Sequence, residues 1–283
     1  MSDIVKKIKF VYKEYTKLLT FSLFLVFFLC SLIYFQDFLF KKTLKVIFLD
    51  VGQGDSALII APEGCKTLID AGPDMKTVGR IEDNINFFDK NLENIILTHQ
   101  DLDHVGGFTQ IVKAFNVKDL FVSNKYTEKI DFNSKNYIKE GDFLKTGSIF
   151  IQTLSPNDKD LGSTNHTSIV NMIVYGKYRF IFMADSDKEK ERSFISKGYF
   201  KNSDYYVDIL KLGHHGSDTS SSELFLKQIK PEYCIFSVGK GNVYGHPSKS
   251  VLDLANKYCL SIYRTDEDGS ISFITDGNDL KIK

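Results

Sequence analysis

From residue 44 onward, short apolar runs alternate with Gly, Asp, Asn and Pro, a pattern typical of strands and helices joined by tight turns. Strands are predicted at 45–49, 56–60, 66–69, 92–97, 120–122, 149–151, 169–174, 178–183, 209–212 and 233–238, and two short strands close the chain. Helical spacing of apolar residues predicts helices at 81–88, 107–115, 188–197, 223–229 and 248–258. Strands interleaved with helices predict one layered α/β domain over residues 43–283.

The amino-terminal part has a different pattern, because the run from Leu18 to Phe35 contains no charged residue. As a helix this run would extend about 27 Å, nearly the thickness of the hydrocarbon core of a bilayer. We therefore predict a transmembrane anchor at 18–36, in contact with the lipid bilayer, behind a basic tail at 1–17. A cleaved signal peptide and a buried soluble helix are the alternatives. No small-residue cleavage site follows the run, and its apolar residues occupy all faces of the helix.

The orientation of this anchor follows from the charges that flank it. Five lysines precede the run and three follow it: Lys6, Lys7, Lys9, Lys13 and Lys17 before, and Lys41, Lys42 and Lys45 after. Cytoplasmic flanks carry the excess of basic residues. The pattern therefore predicts a single-pass protein of the cell membrane, with a cytoplasmic tail and an extracytoplasmic domain.

Composition narrows the function classes only a little. The formal net charge is zero, so the overall charge gives no indication of a nucleic-acid partner. The four cysteines, Cys30, Cys65, Cys234 and Cys259, are scattered and form no C-x-x-C pair. This spacing fits neither a zinc ribbon nor a dense disulfide scaffold, and we predict buried free thiols.

Four side chains of types that bind metals lie within the six residues 99–104, just after the predicted strand 92–97. They are His99, Asp101, Asp103 and His104. Imidazole nitrogens and carboxylate oxygens suit zinc, manganese or iron. We expect His99 and Asp101 to hold one ion and Asp103 and His104 to turn towards a second, while the glycines at 106 and 107 let the backbone pass close behind the site. The pattern indicates a metal-dependent hydrolase.

Further candidate ligands follow the ends of later strands. Asp185 comes directly after 178–183 and is suited to bridging two metals, whereas Asp187 is expected to cap the next helix. His214 and His215 follow 209–212, and His246 lies in a Gly-rich loop after 233–238. All six histidines of the chain, His166 included, lie in predicted loops near strand ends.

These motifs together resemble the metallo-β-lactamase superfamily. The H-x-H-x-D-H motif of that superfamily appears as His99, Asp101, Asp103 and His104, with Asp in place of the second His. This variant is similar to the hydrolase domains of ComEC-type DNA-uptake proteins, as are the segments 48–56, 69–73, 210–217, 244–247 and 263–266. The resemblance covers about residues 44 to 275.

The resemblance implies an αββα sandwich with two divalent metal ions, zinc or manganese, at one edge between its sheets. It implies that Asp185 bridges the ions, that His215 completes the second ion while His214 contacts the substrate, and that Asp70 orients the ligand loop. The superfamily usually supplies a third His to the first ion. At that place the chain has Asn165 and His166, and His166 is either a restored ligand or an ordinary loop residue.

The mechanism expected for such a site is hydrolysis by water activated between two ions. Asp103 would accept the proton of the water, and His214 or His246 would protonate the leaving oxygen or hold a phosphate oxygen. The first hypothesis is a phosphodiesterase or nuclease with DNA as a candidate substrate, because Asp101 makes the ligand set harder than the family norm. The alternatives are hydrolysis of an acyl or lactam bond, and a non-catalytic membrane-tethered binding protein. Protein partners cannot be read from the sequence.

Overall fold

The computed structural model describes residues 2–40, 43–126, 130–200 and 207–283. The chain divides into two compact units, Met1–Lys42 and Thr43–Lys283. The first unit contains the helix α1 (Ser2–Phe40), and within it the segment Lys7–Phe35 is long and apolar enough to cross a membrane. The predicted anchor at 18–36 overlaps this segment, and its insertion into a membrane stays a prediction.

The second unit contains fifteen strands and seven α-helices among its described residues. In chain order the strands are β1 (Leu44–Phe48), β2 (Ala57–Ile60), β3 (Lys66–Ile69), β4 (Asn91–Leu97), β5 (Asn116–Ser123), β6 (Lys135–Ile138), β7 (Phe143–Thr146), β8 (Ile149–Ser155), β9 (Val170–Tyr175), β10 (Tyr178–Phe182), β11 (Ile209–Lys211), β12 (Tyr233–Phe236), β13 (Ser261–Arg264), β14 (Ile271–Thr275) and β15 (Leu280–Ile282). The helices are α2 (Lys76–Glu82), α3 (Leu102–Val105), α4 (Phe108–Ala114), α5 (Lys188–Lys197), α6 (Glu223–Ile229), α7 (Lys249–Tyr258) and α8 (Thr265–Asp268).

The strands form two sheets that pack face to face. The first has the order β15-β14-β1-β2-β3-β4-β5-β6, and the second has the order β13-β12-β11-β10-β9-β8-β7. Phe48 of the first sheet lies 5.5 Å from Phe182 of the second, ring centre to ring centre. Apolar side chains on the outer faces pack against α2 and α4 on one side and α5, α6 and α7 on the other. The αββα sandwich is therefore confirmed.

The parallel strands of both sheets bring the loops of the site to one place. β3, β4 and β5 run parallel in the first sheet, and β10, β11, β12 and β13 run parallel in the second. Loops at the carboxyl ends of parallel strands are where α/β sheets bind ligands. The segments at residues 98–104, 184–187 and 212–217 all follow such ends.

One predicted helix was misplaced, two strands were missed, and three short strands, β13, β14 and β15, close the chain where two were predicted. The helix expected at 81–88 is α2, which begins at Lys76 and ends at Glu82. It begins early because Arg80 binds Asp50 through its side chain and Ile81 is fully buried, and it ends where Asn84 donates to the carbonyl of Arg80. The missed strands β6 and β7 lie between the predicted strands 120–122 and 149–151.

Candidate metal centre

The metal centre is built from loops that follow strands of both sheets. His99 follows β4 by two residues, and Asp103 and His104 lie in α3. Asp185 follows β10, and His215 follows β11 in a short 3₁₀ turn. Asp185 and His215 are each no more than 2% exposed. Three segments that lie far apart along the chain thus converge at one edge of the sandwich.

The first group of candidate ligands contains His99, His104 and Asp185, whose ligand atoms all lie within 4.8 Å of one another. The His104 Nε2 atom is 3.2 Å from Asp185 Oδ1, and the His99 Nε2 atom is 3.9 Å from Asp185 Oδ2. His99 Nε2, His104 Nε2 and Asp185 Oδ1 are buried and have no hydrogen-bond partner among the described residues. Such atoms are costly unless something binds them, and a divalent cation satisfies all three at once. The residues present therefore fit a metal ion.

A second group overlaps the first. Asp103, His104 and His215 also place their ligand atoms within 4.8 Å of one another. The His215 Nε2 atom lies 3.1 Å from Asp103 Oδ2 and 3.7 Å from Asp185 Oδ1. Asp185 therefore stands between the two groups, as a bridging carboxylate would.

Asp70 holds the ligand loop in place. Its Oδ2 atom is 2.7 Å from His104 Nδ1 and accepts a hydrogen bond from the Thr98 hydroxyl, and its Oδ1 atom accepts one from the Thr98 backbone amide. A carboxylate on the far nitrogen of a ligand His fixes the orientation of the ring and makes it a better ligand. Asp70 itself has a φ of 60°, a left-handed conformation that only the surrounding contacts can stabilise.

The glycines of the site are required by close backbone contacts. A Cβ atom at Gly106 would collide with the carbonyl oxygen of Pro73, and one at Gly107 with that of Ala71. At Gly54 it would collide with the carbonyl of Asp103. The backbone thus passes close behind the ligand loop at the glycines, as expected.

Two residues beside the metal centre, Lys211 and Asp55, were not predicted from the sequence to support it. The Lys211 Nζ atom forms an ion pair with Asp55 and donates to the carbonyl of Ala184, 3.1 Å away. The Asp55 Oδ1 atom lies 3.2 Å from His215 Nδ1. Both are buried charges, which proteins keep only when they are paired. The available signal was a lysine inside the apolar strand before His214 and His215.

The charges around the centre favour a cation. Burial opposes a proton on His215, but the carboxylates of Asp185 and Asp55 raise its pKa to about 9. Burial likewise opposes a proton on His104, whose pKa Asp185 and Asp70 hold well above the ordinary value. Carboxylates that retain protons on buried histidines also attract a divalent ion, which competes with those protons.

Asp101 and His166 lie differently from the other predicted ligands. The Asp101 Oδ2 atom is 3.7 Å from His99 Nε2, and the side chain is 41% exposed. The ring of His166 lies 3.1 Å from Asp187, in a separate group with Glu189. Among the described residues, the clusters that contain Asp185 include neither Asp101 nor His166. Asp187 also caps α5, as predicted, by accepting from the Lys190 amide.

His214 and His246 form the outer wall of the centre. The His214 Nε2 atom is 3.7 Å from Asp185 Oδ2, and its Nδ1 atom is 2.9 Å from the Thr219 hydroxyl. The His246 ring lies 5.8 Å from the His214 ring, and the exposed Tyr244 ring stacks on His246 at 5.9 Å. Burial lowers the pKa of both histidines, so their rings are neutral at neutral pH.

Two of the four cysteines form a disulfide, so the prediction of free thiols is wrong for Cys234 and Cys259. The chain crosses from β12 through α7 to β13, and this crossover brings their Cα atoms to 5.9 Å. Cys65 is a half-buried free thiol, and Cys30 is a free thiol exposed on α1, so the prediction of burial is wrong for Cys30. The two partners are 25 residues apart in sequence, too far for a local motif to reveal them.

Comparison with known proteins identifies the family. Residues 49–240 match the model of the metallo-beta-lactamase superfamily. The chain belongs to this superfamily. It is 33% identical to ComE operon protein 3 of Bacillus subtilis (strain 168) over 258 residues, which covers 81% of this chain and 33% of that protein. It is 31% identical to Recombination protein 2 of Haemophilus influenzae over 249 residues, covering 86% of this chain and 30% of that protein.

These relatives confirm the resemblance to ComEC-type proteins, and the chain spans about a third of their length. Among solved structures, the metallo-beta-lactamase fold protein YhfI from Bacillus subtilis superposes with a TM-score of 0.57 at 13% identity, covering 82% of this chain and 99% of that one. At this identity the likeness shows the fold alone. The chain is thus a superfamily hydrolase related to competence proteins.

Proposed function

We propose that the protein is a membrane-anchored phosphodiesterase that cleaves nucleic acid. The observation that carries the proposal is the pair of ligand groups that share His104, with Asp185 in the first group and 3.7 Å from His215 of the second. When bound there, two divalent ions, zinc or manganese, would lower the pKa of an attacking water and offset charge on the substrate oxygens. His99, His104 and Asp185 would hold one ion, and Asp103 and His215, with His104 or Asp185, would hold the other.

The other residues of the centre have separate tasks. Asp103 is a third exposed, and we assign its carboxylate to accept a proton from water. Thr219 fixes the His214 ring with Nε2 towards Asp185. Because His214 is neutral, we assign it to hold a phosphate oxygen by donating a hydrogen bond. His246 lines the same wall, and Asp101 supplies a further carboxylate beside His99.

Two features favour a phosphodiester of nucleic acid over an acyl or lactam bond. The ligands include several carboxylates, which suit hard ions and phosphate chemistry. The exposed ring of Tyr244 extends the wall formed by His246, and aromatic rings beside such a site stack on nucleobases. The names of the relatives, a ComE operon protein and a recombination protein, agree with a nucleic-acid substrate.

The disulfide and the apolar helix support the proposed location. Disulfides persist in oxidising compartments outside the cytoplasm. Cys234 and Cys259 form one within the hydrolase domain. Together with the lysine excess before the apolar helix, this favours a domain outside the cytoplasm, anchored through residues 18–36.

The test uses the full chain purified in detergent, with zinc or manganese added. Bis-p-nitrophenyl phosphate, single-stranded DNA and nitrocefin are offered as substrates. We expect turnover of the two phosphodiesters, and Asp185→Asn should reduce it by more than the roughly 100-fold that loss of an outer partner can cost. Asp253→Asn, the same change on the exposed face of α7, should leave turnover unchanged.

Two other results would contradict the proposal. Turnover of nitrocefin without turnover of either phosphodiester favours the acyl or lactam alternative. Absence of bound metal together with absence of turnover on all three substrates favours a non-catalytic tethered protein.

A further inference from the structure

Two adjacent phenylalanines are exposed in the loop between α2 and β4. The side chains of Phe87 and Phe88 are 78% and 89% exposed, and their rings pack edge to face at 5.3 Å. Single exposed apolar residues are ordinary, but a contiguous apolar patch marks an interaction surface.

This loop lies at the edge of the first sheet where the hydrolase domain begins. Lys45 pairs with Ile60, and Ile60 pairs with Lys66, so β1 and β3 begin in the same row. The strand β4 runs parallel to β3 and begins at the same edge. Two contacts fasten the loop there: Lys45 Nζ donates to Asn84 Oδ1 at 3.1 Å, and Lys66 Nζ pairs with Asp89 at 2.6 Å.

Chain connectivity places lipid near this edge if the anchor crosses a membrane. The apolar segment ends at Phe35, and α1 ends at Phe40. Five helical residues rise about 7.5 Å. From Phe40 to Thr43 the chain covers at most about 11 Å. The chain between Phe35 and Thr43 therefore spans at most about 19 Å, which limits how far the first residue of the domain can lie from the bilayer surface.

We propose that Phe87 and Phe88 insert into the interface of the phospholipid bilayer and hold the domain against it. This inference rests on the membrane anchor of the proposed function. Aromatic and aliphatic side chains at such a boundary bury their apolar parts among the headgroups and upper acyl chains. The loop then acts as a second contact with the membrane beside the anchor.

The proposed contact determines which way the metal centre faces. The strand β4 runs from the row of Lys66, where Glu93 lies, to Leu97, four residues or about 13 Å, and His99 of the metal centre follows two residues later. With the Phe87–Phe88 edge on lipid, the metal centre opens on the opposite side, towards the aqueous phase. A long polyanionic substrate would then approach it from solution, away from the membrane surface.

The absence of tryptophan from the chain allows a direct test. The full chain with Phe88→Trp is reconstituted into vesicles made with brominated phospholipid, which quenches nearby tryptophan. The matched control is Tyr244→Trp, a 67% exposed aromatic position in the loop beside the metal centre. We expect a blue shift and loss of Trp emission for Phe88→Trp, strongest with bromines near the headgroup, and no change for Tyr244→Trp. Phe87→Trp should repeat the result at the neighbouring position.

Flotation of the same vesicles separates this inference from the anchor. If the protein floats but Phe88→Trp is quenched no more than Tyr244→Trp, the interface contact is wrong and the anchor stands. If the protein does not float, the anchor and the contact both fail, whatever the hydrolase assays give. If Phe88→Trp emission shifts in detergent with rising protein concentration and is unaffected by brominated lipid, a second copy of the chain covers the pair, and the proposal is overturned.

Discussion

Lys211 is an interior charge whose contacts all lead to the metal centre. Its Nζ atom holds the carbonyl of Ala184, directly before Asp185, and the carboxylate of Asp55, which contacts His215. Ala184 and His215 both have positive φ, 46° and 52°, and such backbone persists only where neighbours fix it. One ammonium group thus positions two candidate ligands that come from different strands.

We predict that Lys211→Met weakens metal binding about 10–100-fold, the usual cost of losing an outer partner of a metal site. The reason is that Asp185 and His215 lose their common support. Isothermal titration with zinc or manganese measures the affinity, and Lys257→Met, an exposed lysine paired with Glu223, is the control.

A double variant separates positioning from stability. Lys211→Met alone leaves the buried Asp55 carboxylate without its lysine partner, which is strongly destabilising. Adding Asp55→Asn removes that charge, so the free energy of unfolding should recover in part while metal affinity stays low. Recovery of both would mean that Lys211 serves stability alone.

Candidate ligands were predictable at this scale where one loop carries several of them or where one directly follows an apolar strand. His99, Asp103 and His104 were found because one loop carries them, and Asp185 and His215 because each follows an apolar strand. The ion pair of Lys211 with Asp55 joins β11 to the turn before β2, and no local sequence pattern reveals such a pair in a core. His166 was a candidate ligand in the sequence, but in the structure it pairs with Asp187. That pairing depends on how two loops meet, which the sequence pattern does not show.

At the scale of elements, the Cys234–Cys259 disulfide ties the strand β12 to the end of α7. We predict that Cys259→Ser lowers the free energy of unfolding by about 2–4 kcal/mol. Without the disulfide, the loop that it closes over a separation of 25 residues gains conformational entropy in the unfolded state. Denaturant titration of the full chain in detergent gives the value.

Cys65→Ser is the control for this change, because Cys65 is a free thiol. Its effect on the free energy of unfolding should be smaller, and addition of a reductant should destabilise the wild type without altering Cys259→Ser. Equal stability of wild type and Cys259→Ser would contradict the prediction.

The misplaced helix shows why element boundaries were harder to predict than elements. Ile81, Ile85 and Phe88 have helical spacing, so the pattern favoured a helix over 81–88. In the structure Ile81 is buried, Ile85 is half-buried and Phe88 is exposed, because the chain leaves the sheet surface after Glu82. Tertiary contacts decided the boundary, and the displaced phenylalanines became the pair proposed to meet lipid.

At the scale of the whole domain, a layered α/β fold was predictable from strands alternating with helices. The αββα sandwich was predictable from the family resemblance of the motifs. The pairing of β14 with β1 was not, because it joins the end of the domain to its start, and no local pattern reports so distant a pairing. The same closure brings Ser270 to the Asp50 amide, beside the turn that carries Asp55. The metal centre therefore depends on the complete sandwich.

Removal of metal should consequently destabilise the whole domain. The centre gathers Asp55, Asp70, Asp103 and Asp185 around three histidines, and a bound cation offsets their mutual repulsion. A ligand present at 100 times its Kd stabilises the native state by about 2.7 kcal/mol. We predict that EDTA lowers the Tm of the full chain in detergent and that zinc or manganese restores it. Asp185→Asn should show a much smaller response, because it lacks the carboxylate between the two groups. A Tm that does not respond to chelation and metal in the wild type would mean that these residues hold no ion that matters to the fold.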